Sequence, residues 1–184
     1  MTNNTEQQTK KIYVAVTKTG TLLSRLVHFF TRDSYTHVSV AMHKDLRDMH
    51  SFGRINPKNP FRGGFVRETP RTGTFQRFPN TDAVVFEVEV TAEVYDAMQA
   101  ELAQMWENRA QYHYNSLGLF LAGIGKIRKK ENYYYCSEFV QEFLSKYGHG
   151  IADGAGRIVK PVEFLQVPGG VRIYEGKIKD YYLE

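Results

Sequence analysis

The chain has 184 residues, a length typical of one domain that buries its own core. Its formal net charge of +4, from 24 basic and 20 acidic side chains, is too small to indicate nucleic-acid binding. A single cysteine excludes an internal disulfide and argues against a cysteine-based zinc site, and an unpaired thiol suits a reducing compartment. No apolar run approaches the roughly 20 residues of a membrane-spanning helix, so we expect a cytoplasmic protein.

The first part of the chain predicts a tail, a strand and a helix. Residues 1–10 are polar and predict a disordered tail, so a single domain is expected over residues 11–184. The β-branched and aromatic run at 11–17 predicts a first strand. Apolar side chains at helical spacing predict an amphipathic helix over 21–32. Its basic residues would suit contact with a lipid surface, although burial of its apolar face in the core is the simpler interpretation.

A hairpin and a long loop are predicted next. Residues 36–42 alternate in character, which places His37 at the start of a strand. Residues 47–52 predict the antiparallel partner of that strand. Glycine and proline accumulate between residues 53 and 79, which predicts a long loop with short extended pieces, one of them at 64–68.

The second half of the chain predicts further strands and helices. Residues 83–90 give the strongest strand pattern, and Thr91 is placed to cap the helix that follows. Another helix is predicted from Cys136 to Gly148, where glycine ends it, and a last strand is predicted at 171–174. Together these elements predict an α+β fold in which a central antiparallel sheet or barrel packs against helices.

The lone cysteine is the first candidate for chemistry. Cys136 opens its predicted helix, where unpaired backbone amides and the helix dipole favour an anion and hence the thiolate. The same amides would donate hydrogen bonds to the oxyanion that forms when a thiolate attacks a carbonyl carbon. A buried structural cysteine is the commoner outcome for an unpaired thiol, so position alone leaves both interpretations open.

A thiol nucleophile needs a base and a third group that orients the base. Among the six histidines, His37 lies on a predicted strand, which holds its side chain rigidly. His50 lies on the return strand of the same hairpin, where it would reach the far ring nitrogen of His37. Taken alone, each of the two is better explained as a surface histidine.

Two short motifs together resemble a known family. The segments 34–40 (SYTHVSV) and 134–140 (YYCSEFV) are similar to motifs of the circularly permuted papain-like cysteine hydrolases. That group is the permuted branch of the NlpC-type superfamily and is related to lecithin:retinol acyltransferase-like enzymes. In it, the histidine strand precedes the cysteine helix. Residues 17–24 also resemble the family's first strand-to-helix junction, and the resemblance extends over about residues 12–168.

The resemblance implies that Cys136 is the nucleophile and His37 the base. The family's third polar group lies on the strand after the histidine strand and is often Glu or His. Here that register falls on His50, with the neighbouring Ser51 as the alternative and otherwise a substrate-binding candidate. The resemblance therefore implies a papain-like fold with the cysteine at a helix N-terminus.

Further residues are candidates for substrate binding. A tyrosine often lines the site in this family, and the chain offers three that would lie near the thiol, although core packing explains such aromatics equally well. These tyrosines are Tyr112, Tyr114 and Tyr134. The loop after the hairpin is placed to line or cover the cleft, which makes Asn56 and Phe61 candidates for substrate selection.

We expect neither a metal nor a cofactor. Glu138 and Glu142 are four residues apart on the cysteine helix, but no matching pair of histidines accompanies them, so a solvated helix face is the better interpretation. No nucleic-acid partner is expected. Peripheral contact with a membrane is compatible with the basic cluster at 126–130, although a solvated loop is the simpler explanation of that charge.

The resemblance implies a cysteine hydrolase that cleaves an amide or ester bond through an acyl-thioester. Family substrates include peptide-type cell-wall fragments and lipid acyl groups. Two alternatives stay open: a lipid acyltransferase or thioesterase that uses the same Cys–His pair, and a non-catalytic binding module on the same fold. A thiol-reactive probe at neutral pH separates the binding module from the two enzymes. The oligomeric state stays open.

Overall fold

The computed structural model describes residues 8–19, 34–55, 62–116, 118, 130–152, 154 and 156–181. These residues form an α+β fold, as the sequence predicts, with an antiparallel sheet of six strands packed against helices. The six strands of this sheet are β1 (Thr9–Lys18), β2 (His37–Ala41), β3 (Met49–Arg54), β4 (Gly63–Glu68), β5 (Asp82–Thr91) and β8 (Gly170–Lys177). Two short strands, β6 (His113–Tyr114) and β7 (Tyr133–Tyr134), lie outside it. The α-helices are α1 (Gly73–Arg77), α2 (Ala92–Glu107) and α3 (Cys136–Lys146), and short 3-10 helices span Arg109–Gln111, Pro161–Gln166 and Ile178–Asp180.

The large sheet has the strand order β4-β3-β2-β1-β5-β8, and each neighbouring pair is antiparallel. Its longest ladder joins β1 to β5, from Thr9 opposite Thr91 to Lys18 opposite Asp82. These central strands are buried on both faces over most of their length. Double burial explains why both are almost continuously apolar, since a strand with one face in water would alternate apolar and polar residues.

Each face of the sheet carries its own hydrophobic core. The larger core lies between the sheet and helices α2 and α3, and its members include Val14, Val38, Phe52, Met98 and Phe139. The smaller core lies on the opposite face, where Phe75 of α1 and Ile178 pack against β1 and β5. The sheet is therefore the middle layer of the structure, with one hydrophobic core on each face.

The predicted helix boundaries have clear local causes. Thr91 caps α2, since its hydroxyl accepts a hydrogen bond from the backbone N–H of Val94 at 3.2 Å. Helix α3 ends at Lys146, and Gly148 follows with a φ of +82°, a left-handed conformation that favours glycine. The predicted Thr91 cap is confirmed, and α3 ends two residues before the glycine that was predicted to stop it.

Three predictions need correction or fall outside the described residues. The predicted tail at 1–10 overlaps β1, which already begins at Thr9. The predicted loop at 53–79 contains a full edge strand, β4, and the short helix α1. The predicted helix at 21–32 lies outside the described residues. Among the helices that the structure describes, none is long and apolar enough to cross a membrane.

Candidate functional site

Helix α3 brings the cysteine to the histidine strand. It packs against β2 and β3, and its first residue, Cys136, is only 6% exposed. The Cys136 sulfur lies 4.0 Å from the backbone carbonyl oxygen of Thr36, the residue before His37. The Cys136 thiol interacts with the His37 imidazole, and this interaction helps to raise the pKa of His37. The structure thus brings together two residues that lie 99 positions apart in the sequence.

A carboxylate contacts the histidine from β4. Oε2 of Glu68 lies 2.7 Å from Nε2 of His37, and the two side chains are only 12% and 14% exposed. The hydroxyl of Ser39 donates a hydrogen bond to the same carboxylate oxygen at 3.2 Å and lies 3.3 Å from Nε2. Glu68 and Ser39 both meet Nε2, so neither of them contacts the other ring nitrogen, Nδ1.

The electrostatics of the site favour a protonated histidine. Burial is the largest influence on the pKa of His37 and by itself lowers it. The negative charge of Glu68 and the hydrogen bonds of His37 with Cys136 and Glu68 act in the opposite direction. Together they outweigh burial and raise the pKa of His37 well above its ordinary value. An imidazolium held in this way stabilises a thiolate at its side.

Glycine at position 53 gives the histidine and the carboxylate room to meet. A β-carbon built on Gly53 would lie 3.9 Å from both Cε1 of His37 and Oε1 of Glu68, and 3.4 Å from Val66. The site of this glycine therefore faces the gap between the two side chains. These are ordinary van der Waals distances, so alanine would still fit at this position, and only a side chain longer than alanine would compete with Glu68 for the space.

The structure does not place His50 in the predicted third position. His50 pairs in register with Val40, so its side chain lies on the Val40 face of the sheet, whereas His37 lies on the opposite face. Its ring stacks on Phe65 in the larger core, and neither ring nitrogen has a well-formed hydrogen bond to a described residue. Burial lowers the pKa of His50 to about 4, which leaves it neutral at pH 7.

Ser51 does not take the third position either. Its hydroxyl is fully buried and donates a 2.7 Å hydrogen bond to the carbonyl oxygen of Val38 on the neighbouring strand. That bond holds β3 against β2 and leaves the hydroxyl away from any substrate. Glu68, which the sequence analysis placed at the end of a short extended piece of the loop, holds the position instead.

The three candidate tyrosines occupy different places. Tyr114 interacts electrostatically with Cys136, and burial, the charge of Cys136 and the charge of Tyr135 together raise the pKa of Tyr114 well above its ordinary value. Tyr112 and Tyr134 instead pack edge-on or tilted against Phe52 in the larger core. Among the three candidates, Tyr114 is therefore the one whose pKa responds to the charge of the thiol.

Two glycines of β4 allow Tyr114 to reach this place. A β-carbon at Gly63 would lie 2.5 Å from the β-carbon of Tyr114, and one at Gly64 would lie 2.7 Å from the carbonyl oxygen of Tyr112. Only glycine lets the β6 segment lie this close to β4. The other two binding candidates, Asn56 and Phe61, lie outside the described residues.

One feature of the sequence points to Glu68 as the partner of His37. The extended piece at 64–68 ends on this glutamate, and the family's third group is often Glu. Pairing that piece with the strand before it gives the observed β3–β4 hairpin, in which Glu68 lies opposite Met49. The loop interpretation of residues 53–79 concealed this strand, because glycine and proline normally weaken a strand pattern.

Comparisons with known proteins show similarity at the level of the fold. No family model matches the sequence, and no curated protein shows significant similarity to it. Among solved structures, the chain is similar to metalloprotein yiiX from Escherichia coli O157:H7, of family DUF1105, with 11% sequence identity and a TM-score of 0.52. The alignment covers 93% of this chain and 99% of that chain. In the part of the present chain that the structure describes, no group of three or more His, Cys, Asp or Glu side chains is placed to hold a metal ion.

Proposed function

We propose that this protein is a thiol hydrolase that cleaves an amide or ester bond through an acyl-thioester on Cys136. The observation that supports this function most strongly is that His37 lies 2.7 Å from Glu68 and also interacts with the Cys136 thiol, whose sulfur is 4.0 Å from the carbonyl oxygen of the residue before His37. A nucleophile, a base and an orienting group in this order are what nucleophilic catalysis by a thiol requires. In this proposal Glu68 is a positioning residue, because it acts through His37.

The reaction needs only these groups and water. His37 takes the thiol proton on Nδ1, and the sulfur attacks the carbonyl carbon of the substrate. When the C–N or C–O bond breaks, the His37 imidazolium gives that proton to the leaving amine or alcohol. Water then attacks the thioester while His37 accepts its proton, and the cleavage of the C–S bond returns the proton to the sulfur and releases the acid.

Two donors are placed to stabilise the oxyanion of each tetrahedral intermediate. Cys136 is the first residue of α3, and the first backbone amides of a helix have no partner within the helix. The Tyr114 hydroxyl would be the second donor: it interacts electrostatically with Cys136, and its raised pKa keeps it protonated at neutral pH. A backbone amide and a tyrosine hydroxyl of this kind are effective oxyanion donors in a site that excludes water.

The fold supports the assignment to the circularly permuted papain-like hydrolases. The histidine strand β2 precedes the cysteine helix α3 in the chain, and α3 packs on the strand pair β2–β3. The third group is a glutamate, as is common in that family, but it lies two strands away from β2 and not on the next strand. On this proposal the substrates are peptide-like or lipid-like acyl compounds, as expected for the family.

Trapping the acyl-enzyme tests the proposed function. Wild-type protein is mixed with 4-nitrophenyl butyrate and quenched in acid, and its intact mass is measured. We expect a gain of one butyryl group, located on the peptide that contains Cys136, together with a burst of 4-nitrophenolate. The Cys136→Ala variant must show neither, and Tyr134→Phe is a matched control that must keep both. A wild-type protein that gives no adduct and no burst contradicts the proposal.

The same reaction distinguishes hydrolysis from acyl transfer. Added glycerol or glycinamide gives the thioester an alternative acceptor to water. A hydrolase releases butyrate at the same rate with or without these compounds. An acyltransferase forms butyryl esters or amides, detected by mass spectrometry, at the expense of butyrate.

A further inference from the structure

A pocket of about 470 Å³ opens along the edge strand β4. Three arginines from different elements line it: Arg54 at the end of β3, Arg67 on β4 and Arg109 just after α2. The pocket also includes Glu68, the carboxylate that contacts His37. It therefore adjoins the proposed active site on the side of the third residue, although nothing in the reaction described above uses it.

The guanidinium groups of two of these arginines stack on the indole ring of Trp106. The Arg67 guanidinium carbon lies 4.4 Å from the ring centroid, and that of Arg109 lies 4.7 Å from it. Stacking of this kind fixes the plane of a guanidinium while leaving its edge N–H groups directed outwards. Neither Arg67 nor Arg109 forms an ion pair with a described residue, although Arg109 donates a hydrogen bond to the Trp106 carbonyl oxygen at 2.9 Å.

The pocket carries more positive than negative charge. Its lining includes two carboxylates, Glu68 and Glu107, against three guanidinium groups. The Glu68 charge is already matched by His37 at 2.7 Å. Burial and the charge of nearby Arg77 lower the pKa of Arg54, with Glu68 acting in the opposite direction. An anion beside Arg54 would offset the positive charge of Arg77 that acts on it.

Part of the remaining wall is apolar. Phe65, Ile55 and the Trp106 ring line the pocket beside the arginines, and Ile55 is 61% exposed. An inorganic ion would leave this wall in contact with water. An organic anion with an apolar body would cover it and gain from the burial of that surface.

We propose that this pocket binds a small organic anion, in which a carboxylate or phosphate group meets Arg54, Arg67 and Arg109 and an apolar body lies against Trp106. Arginine is suited to both groups, since its planar guanidinium donates two parallel hydrogen bonds to either. Through Glu68 the ligand lies one side chain away from His37. If the proposed function is correct, the pocket holds the anionic end of the acyl substrate, but the binding itself does not depend on catalysis.

Trp106 is the single tryptophan of the chain, so its fluorescence reports on this pocket directly. The titration uses the Cys136→Ala variant, which separates binding from covalent chemistry. Phenyl phosphate and 4-phenylbutyrate are the two anionic probes, and 4-phenylbutan-1-ol is the neutral control. We expect a saturable change in fluorescence with at least one anion, and the comparison of their Kd values shows whether phosphate or carboxylate is preferred. The alcohol should give no saturable change.

Substitutions locate the binding site. Arg54→Gln and Arg67→Gln, each added to the same background, should weaken the binding of the anion at least tenfold by isothermal titration calorimetry. Arg172→Gln is the matched control, since Arg172 is exposed and lies on β8 at the opposite edge of the sheet, and it should leave Kd unchanged. Circular dichroism melts confirm that each variant folds. The proposal is overturned if neither anion binds, if the alcohol binds as well as the anions, or if the arginine substitutions leave Kd unchanged.

Discussion

The carboxylate of Glu68 lies 2.7 Å from Nε2 of His37, although 31 residues separate them in the sequence and an entire strand lies between them in the sheet. The contact raises the pKa of a histidine that burial alone would keep neutral. On the proposed function, it makes Glu68 the residue that orients the base. His50, which the hairpin pattern predicted for this role, lies on the other face of the sheet.

Substitution of Glu68 should affect the site far more than substitution of His50. In Glu68→Gln the carboxylate charge that raises the pKa of His37 is lost, so this pKa should fall. NMR titration of the His37 ring resonances measures the change. On the proposed function, the high-pH limb of kcat/KM for 4-nitrophenyl butyrate should move to lower pH by the same amount.

His50→Gln is the matched control for this measurement. It should leave the His37 titration and the pH profile unchanged, because the His50 side chain lies on the far face. A His37 pKa that is unaltered in Glu68→Gln, or that falls as much in His50→Gln, would show that the 2.7 Å contact does not govern the site.

Removal of the Tyr114 hydroxyl should slow turnover. If this hydroxyl donates to the oxyanion, Tyr114→Phe should lower kcat by about tenfold to a hundredfold with little change in KM, since the interaction is made in the transition state. Tyr112→Phe and Tyr134→Phe are controls of the same chemistry, because both rings pack in the core against Phe52. Equal losses in all three variants, or none in Tyr114→Phe, would assign Tyr114 to packing.

The buried His50 should make the fold sensitive to mild acid. Its folded-state pKa of about 4 lies below the ordinary value of 6.5, so between these pH values the unfolded chain binds a proton that the folded chain does not. The free energy of unfolding should therefore fall as the pH decreases from 6.5 to 4, by roughly 3 kcal/mol from this residue. Urea unfolding at pH 7.5 and at pH 4.5 measures it.

The contribution of His50 is isolated by a comparison with His50→Gln. The variant should lose less stability between the two pH values than the wild type does, because glutamine does not titrate. The titration of His37 does not affect this comparison of wild type with His50→Gln. The raised pKa of His37 adds stability that is complete below pH 6.5 and is lost as the pH rises from there through the folded-state pKa. This contribution is the same in both proteins, so it cancels in the comparison. Equal losses in the two proteins would contradict the prediction.

Phe52 should be among the most sensitive core positions. It is fully buried, and its ring contacts those of Tyr134 and Phe139 with centroid distances of 5.0 and 5.4 Å. Phe52→Ala should lower the free energy of unfolding by about 3–5 kcal/mol, as measured by urea titration. Val171→Ala is the control, because Val171 is 63% exposed, and it should change stability by less than about 0.5 kcal/mol. A cost below about 1 kcal/mol for Phe52→Ala would contradict the packing described.

The sequence predicts the elements that rely on local pattern. The strands at β1, β2 and β5, the Thr91 cap and the helix that begins at Cys136 all follow from periodicity and capping residues. The extended piece predicted at 64–68 is confirmed as β4, but its pairing with β3 does not follow from the pattern, because its Gly63-Gly64 pair, which allows the close approach of β6, weakens the strand signal. Without that pairing, the sequence does not bring Glu68 to His37.

Strand faces explain the error at His50 more directly. In a hairpin, a shift of one residue moves a side chain to the other face of the sheet. The sequence shows that His37 and His50 lie on adjacent strands but does not fix their register. Only the observed pairing of Val40 with His50 shows that the two histidines point in opposite directions.

The pH dependence of Cys136 alkylation by iodoacetamide tests the central claim most directly. An activated thiol–imidazole pair predicts rapid labelling of the wild type below pH 7, strongly slowed in His37→Ala and unchanged in the control His113→Ala, a substitution of an exposed histidine. Labelling that accelerates only above about pH 8 and is the same in wild type and His37→Ala would instead identify Cys136 as a structural thiol and contradict the account.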